Sequence, residues 1–201
     1  MIGPKLFYQG HGSVRIETPE EKVIYLDPYA GEGYDLTADL ILVTHGHYDH
    51  TKLELIENRS DSCIVITYQD ANQDGNYQSY DLGYVKVEAV EAENKNHPIG
   101  EGVGYILTFS NGKAVNFTGD SSTTKQMATF AERKLDYAFF CCDGIYNMDR
   151  AEASKCAKLV GAKCSIPYHV KPGGLFDQAL AEEFQAEGRR IIAAGEIMEI
   201  I

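Results

Sequence analysis

Asp39-Leu40-Ile41-Leu42-Val43-Thr44-His45-Gly46-His47-Tyr48-Asp49-His50 is the stretch on which the reading of this chain turns. Its first half is a continuous apolar run, which suits a strand buried on both faces. Its second half packs three imidazoles and a carboxylate into six residues at the carboxyl end of that strand. Ligands placed there are held by a rigid sheet yet stay open to the crevice beyond it. Imidazole and carboxylate are the groups that borderline divalent cations such as zinc take as ligands. The chain has only six histidines in 201 residues. Chance placement of His-x-His-x-Asp-His is therefore on the order of 3 in 10,000, and the motif points to a metal site. Two histidines two residues apart in an extended loop can converge on one ion. Asp49 and His50, further along the turn, face a neighbouring position.

Upstream of the motif the chain reads as short strands over 5–9, 13–17 and 22–27, separated by Gly10-His11-Gly12 and Thr18-Pro19 and closed by Asp27-Pro28. Downstream, Leu53 and Ile56 at helical spacing predict a helix over 51–58. Strands follow over 63–67 and 84–90. Asn111-Gly112 is a turn signal that joins 103–110 and 113–118 into a hairpin. The pattern then alternates: helix 123–134, strand 136–142, helix 150–160, strand 164–167, helix 176–187 and a last short strand within 197–201. With no linker, repeat or low-complexity segment, 1–201 reads as one domain. A strand-rich start followed by alternation indicates an α/β fold in layers, with helices covering sheet faces.

Hydrophobic residues at 44% supply enough material for a sizeable core. No run approaches the roughly 18 apolar residues that a membrane span needs. The start, Met1-Ile2-Gly3-Pro4-Lys5, lacks the pattern of a secretory leader, so the expected location is cytoplasmic. A net charge of −12 counts against a nucleic-acid partner, although bound cations would still draw a small anionic substrate. The five cysteines (Cys63, Cys141, Cys142, Cys156 and Cys164) include no Cys-x-x-Cys pair and read as reduced, buried thiols rather than ligands. There is no Gly-x-Ser-x-Gly elbow to provide a protein nucleophile.

The motif His45-Gly46-His47-Tyr48-Asp49-His50 after a buried strand resembles the hallmark of the metallo-β-lactamase superfamily. The later ligand positions of that superfamily are matched in order by His97, by Asp120 in a Gly-Asp pair closing a strand, and by His169 in Ile166-Pro167-Tyr168-His169. Gly10-His11-Gly12-Ser13, His97-Pro98-Ile99-Gly100 and Pro167-Tyr168-His169 look like the branch of small metal-dependent hydrolases that includes ascorbate-phosphate lactonase. More distantly they resemble phospholipase D acting on N-acyl ethanolamine lipids. Ser121 stands where that pattern commonly has threonine after Gly-Asp, and the hydroxyl is kept.

The resemblance implies a four-layer αββα sandwich of two mixed β-sheets flanked by helices. It also implies two divalent metal ions, zinc in the first place and manganese or iron as alternatives. His45, His47 and His97 would hold one ion, Asp49, His50 and His169 the other, and Asp120 would bridge them. A metal-bridging hydroxide, served by Asp49 and Asp120 as catalytic groups, would cleave an ester, lactone or phosphodiester in a small molecule or lipid headgroup. Histidine rather than an acid at the second motif position sets the chain apart from the flavodiiron branch. His11 is expected beside the ligands or on the substrate, and Tyr29, Tyr146 and Lys171 are candidate substrate contacts by nearness to the motifs. The competing expectations are a nuclease of the same superfamily and a metal-binding protein without catalysis.

Overall fold

Alternating side chains set the first sheet. In the computed structural model, which describes residues 3–201, β1 (Lys5–Gly10), β2 (Ser13–Glu17), β3 (Val23–Leu26), β4 (Ala38–Leu42) and β5 (Arg59–Ile66) lie side by side in that order. Met1 and Ile2, the start of the terminus read above as leader-free, lie outside the described residues. Ile24, Leu26, Leu40 and Leu42 point to the main core, while Val23, Tyr25 and Ile41 pack on the opposite face with Ile56. Such two-sided burial is what a continuous apolar run predicts.

After β5 come a one-turn helix α1 (Tyr68–Ala71), a miniature hairpin of β6 (Asn72–Gln73) and β7 (Asn76–Tyr77), and β8 (Ser79–Asp81). The second large sheet continues from β8 through β9 (Val85–Glu91), β10 (Val103–Phe109), β11 (Ala114–Phe117) and β12 (Tyr137–Cys141). Helix α2 (Arg150–Val160) leads to its last strand, β13 (Cys164–Tyr168). Helix α3 (Gln178–Glu183) then precedes β14 (Ile197–Glu199), which returns to pair with β1 in the first sheet.

The two sheets share a pairing pattern. Each has three antiparallel pairs and then two parallel ones: β3, β4 and β5 run together in the first, and β11, β12 and β13 in the second. No sequence repeat announces this symmetry. The sheets face each other across a single buried cluster that takes Leu6, Ile16 and Leu42 from one and Val87, Tyr105 and Phe117 from the other. Helix α2 buries Ala153, Cys156, Ala157 and Val160 on the outer side of the second sheet. This is the expected αββα order, with a thin outer layer on the first sheet.

That thinness corrects the helix predicted over 51–58, which is a single 3₁₀ turn, Leu53–Leu55. The Arg59 guanidinium donates to the carbonyls of Leu53 and Ile56, giving them partners outside a helix. The segment predicted as a helix over 123–134 is a 3₁₀ helix, Gln126–Arg133, and its two buried side chains, Met127 and Phe130, are three apart. A spacing of three lines up on one face of a 3₁₀ helix. The helix predicted over 176–187 shortens to α3, capped by Asp177 and ended by an extended Phe184 that stacks on Phe140. The hairpin turn widens to residues 110–113, with Asn111 and Gly112 at its centre.

Candidate metal centre

Most of the chemically notable side chains sit just past the carboxyl ends of the parallel strands, while His11 and His97 come from the β1–β2 and β9–β10 connections. Asp27 follows β3, His45 follows β4, Asp120 follows β11, Asp143 follows β12 and His169 follows β13. The strands end at one rim, where loops from both sheets meet. Thr44 and Val103 join the sheets there through a 2.8 Å backbone hydrogen bond, next to a bridge between His45 and Gly102. Gly119 makes the junction possible. Its φ is +62°, and a Cβ would lie 2.8 Å from the Val103 carbonyl oxygen. Gly12 gives similar clearance to His50, whose Cε1 would be 2.8 Å from a Cβ at that position.

The residues singled out from sequence converge into two neighbouring groups. His45, His47 and His97 offer ligand atoms within 4.8 Å of one another, and so do His11, Asp49, His50 and His169. His97 Nε2 lies 3.0 Å from His47 Nδ1. Asp120 stands between the groups. Its Oδ2 is 3.9 Å from His45 Nε2, while its Oδ1 is 3.5 Å from His50 Nε2 and 3.6 Å from His169 Nε2.

Burial and the neighbouring imidazoles lower the His45 pKa to about 2. Burial likewise lowers those of His97 and His169. A neutral imidazole keeps the lone pair that a metal needs. His50 differs: burial would lower its pKa, but the Asp120 and Asp27 carboxylates outweigh that and raise it to about 9. Burial would raise the Asp120 carboxyl, yet His169, His50 and His45 hold it far below the usual carboxylate range. Asp49 is likewise held low against its burial, chiefly by the hydrogen bond from His11.

The chemistry of this donor set fits a bound cation. Nε2 of His45, Nε2 of His50, Nδ1 of His97 and both ring nitrogens of His169 are buried without a hydrogen-bond partner. Buried polar atoms rarely go unpaired in a folded protein. Here they gather around carboxylates, and no lysine or arginine lines the cavity. Divalent cations would satisfy Nε2 of His45, His50 and His169, the nitrogens that face Asp120, together with the clustered negative charge.

Several supports were not singled out from the sequence. Asp27, fully buried, accepts from the Thr44 backbone N–H (2.7 Å), from Thr44 Oγ1 (2.6 Å) and from His50 Nδ1 (2.9 Å). This leaves His50 Nε2 aimed at Asp120 and fixes the tautomer. Asp143 lies 3.6 Å from His169 Nδ1 and accepts from Asn147. Asn147 in turn accepts from Asn94, whose own carbonyl oxygen takes the His97 backbone N–H. Asp27-Pro28 was visible only as a strand end, and Asp143 only as a residue after one. Asp27, His11 and His169 all have positive φ (46°, 55° and 47°). Non-glycine residues in that region often mark functional sites.

His11 links the site to its surroundings. Its Nε2 is 3.2 Å from Asp49 Oδ2, its Nδ1 is 3.3 Å from the Gly174 carbonyl, and its ring lies 3.6 Å from that of His169. Tyr29 packs on the His11 ring, 4.9 Å between centroids. Above the groups opens a cavity of about 670 Å³, walled also by Tyr48, Asn96, Tyr146, Pro172 and Gly173. Tyr146 thus reaches the site, whereas Lys171 is turned to Asp177, 3.2 Å away, and is not part of the wall. Cys141, Cys142 and Cys156 are buried and Cys63 and Cys164 half-buried; none belongs to the histidine groups. Among the described residues no helix is long and apolar enough to cross a membrane.

A family model described as a beta-lactamase superfamily domain matches residues 5–169. A metal-dependent hydrolase of Geobacillus thermodenitrificans is 29% identical, over 82% of this chain and 84% of that one. Another metal-dependent hydrolase, from Bacillus velezensis, is 28% identical over 98% of this chain and 99% of its own length. Among solved structures, a Parabacteroides distasonis protein, a metal-dependent hydrolase by assignment, superposes with a TM-score of 0.77 at 27% identity. It covers 94% of this chain and 92% of that one.

Proposed function

The chain belongs to the beta-lactamase superfamily, and on that footing we propose that it is a metal-dependent hydrolase built around two cation positions. His45, His47 and His97 would hold one ion, Asp49, His50 and His169 the other, with Asp120 ligating both. The observation that carries this reading is the placement of Asp120, which turns one carboxylate oxygen to each group of otherwise unpartnered nitrogens. Zinc suits the donor set best, and manganese or iron would also be accepted by it.

Bound divalent ions supply Lewis acidity and bring the pKa of a water toward neutrality. The chain's own residues would do the rest. Asp120 sets the spacing of the two positions. Asp49 Oδ2, oriented by His11 Nε2, receives the proton from the attacking water as its oxygen joins the acyl carbon or phosphorus. The same proton then passes to the leaving oxygen as its bond breaks, so water is added across an ester, lactone or phosphodiester. Asp27 holds His50 in orientation through a hydrogen bond, and Asp143 places a carboxylate 3.6 Å behind His169. The cavity walls carry no lysine or arginine, which sits poorly with a nuclease, because polynucleotides are held largely by those side chains.

Metal content and a hydrolysis panel of esters, lactones and phosphodiesters, measured on wild type and Asp120→Ala, test the reading. We expect about two ions per wild-type chain, a clear loss in the variant, and turnover of at least one panel class that disappears with it. Intact, folded protein that retains full metal content as Asp120→Ala would refute the assignment.

A further inference from the structure

The cavity has a second property beyond the histidine groups: its outer walls carry aromatic rings and no lysine or arginine. Apart from the groups assigned to metal, the lining is His11, Tyr48, Asn96, Tyr146, Pro172 and Gly173. The neighbouring cations are used elsewhere or face away. Lys171 pairs with Asp177, Lys52 sits 4.9 Å over the Tyr29 ring, and Lys95, beside Asn96, is exposed and outside the wall.

Two of the wall residues, Tyr48 and Tyr146, are large side chains held out in water, and exposed isoleucines adjoin the wall in the chain. Tyr48 is 70% exposed and Tyr146 54%, and next to them in the chain Ile145 is 56% exposed and Ile99, close behind His97, 58%. The loop carrying Ile145 and Tyr146 is fixed rather than loose. The Asp143 carboxylate accepts the backbone N–H of both residues at 2.7 Å, and Asn96 donates to the Tyr146 carbonyl at 2.9 Å. Tyr48 is steadied edge-on by Tyr29 at 5.8 Å, which in turn packs on His11 at 4.9 Å. An aromatic wall therefore runs from solvent to the histidines. Rigidly presented apolar surface around a concave site is the mark of a pocket that covers it with ligand.

We propose that the part of the substrate beyond the scissile bond is an uncharged, apolar group of at least ring size, held between Tyr48 and Tyr146. This rests on the hydrolase reading for the scissile end only. A phosphomonoester or carboxylate on that part of the substrate would find no cationic partner in these walls and would lose its hydration.

Two measurements separate this proposal from the metal assignment. On metal-loaded protein, the affinities of acetohydroxamate, benzohydroxamate and 4-carboxybenzohydroxamate compare tails on one chelating group. Benzohydroxamate should bind about tenfold more tightly than acetohydroxamate, since a phenyl ring is partly buried, and the carboxylated ring should lose that gain. The double variant Tyr48→Ala/Tyr146→Ala changes only exposed side chains, so its thermal midpoint should hold while the ratio shrinks to within about threefold. On protein without metal, benzyl alcohol should shift the ring resonances of Tyr48 and Tyr146 saturably. If the hydroxamates fail to bind while benzyl alcohol shifts both tyrosines, the metal assignment falls and the apolar pocket stands. Equal affinity for all three tails, a preference for the carboxylated one, or tyrosine resonances unmoved by benzyl alcohol would overturn the proposal.

Discussion

Replacing Asp27 with asparagine keeps the shape of a side chain that touches no cavity wall, yet it should weaken the metal centre. The carboxylate accepts three hydrogen bonds: the Thr44 N–H at Oδ1, and Thr44 Oγ1 and His50 Nδ1 at Oδ2. An amide has one acceptor oxygen, so in either orientation its NH₂ meets a donor. If the NH₂ faces the Thr44 N–H, a buried backbone donor at the end of β4 loses its partner. If it faces His50, the imidazole must move its proton to Nε2, the atom that Asp120 and the ion need. A lost hydrogen bond to a charged acceptor at a buried site costs about 1.5–3 kcal/mol. Loss of a carboxylate that orients a ligating histidine lowers metal affinity about 10–100-fold, roughly 1.4–2.7 kcal/mol. Metal competition with a chromophoric chelator reads the second quantity, and urea unfolding of the metal-free protein reads the first. The ion lost first should be the one at His50 and His169. Affinity within about twofold of wild type at both positions, with the fold intact, would refute the idea that Asp27 sets the His50 tautomer.

Other expectations follow from the same geometry. His50 has a folded pKa of about 9 against 6.5 unfolded, so its stabilisation of the metal-free protein is complete below pH 6.5 and fades as pH rises through 9. The urea midpoint of metal-free protein should fall over that window, and Asp27→Asn should flatten the slope. Gly119→Ala forces a side chain into left-handed backbone against the Val103 carbonyl. It should destabilise by about 1–3 kcal/mol, visible as a lower thermal midpoint. Removing metal with a chelator should lower the thermal midpoint of wild type and restore it on reloading, because an ion that binds only the native state stabilises it. His11→Ala should reduce kcat about 10–100-fold through misorientation of Asp49 while leaving most of the metal in place; unchanged kcat would remove His11 from the account.

The site was more legible in the sequence than the layers around it. The run 40–43 and the motif behind it place a strand and the candidate ligands at once, because burial on both faces and donor chemistry both leave local marks. His97, Asp120 and His169 are individually ordinary residues after strands, and only their order beside the first motif, through the resemblance, joined them to it. The supports escaped because their meaning is non-local: Asp27 matters through His50, 23 residues on, and Asp143 through His169. Tyr48 lies inside the motif itself, but nothing in a sequence says that a tyrosine will be held out in solvent. Helices over 51–58 and 123–134 were overread for a related reason. Apolar residues three apart fit a 3₁₀ turn as well as an α-helix, and the Arg59 contacts that favour the turn come from outside the predicted segment.

Anomalous diffraction from metal-loaded crystals, collected above and below the absorption edge of the ion, tests the central assignment most directly. It should show two peaks per chain, one among His45, His47 and His97 and one among Asp49, His50 and His169, each facing a different oxygen of Asp120. A single peak, or peaks away from Asp120, would contradict the two-position centre.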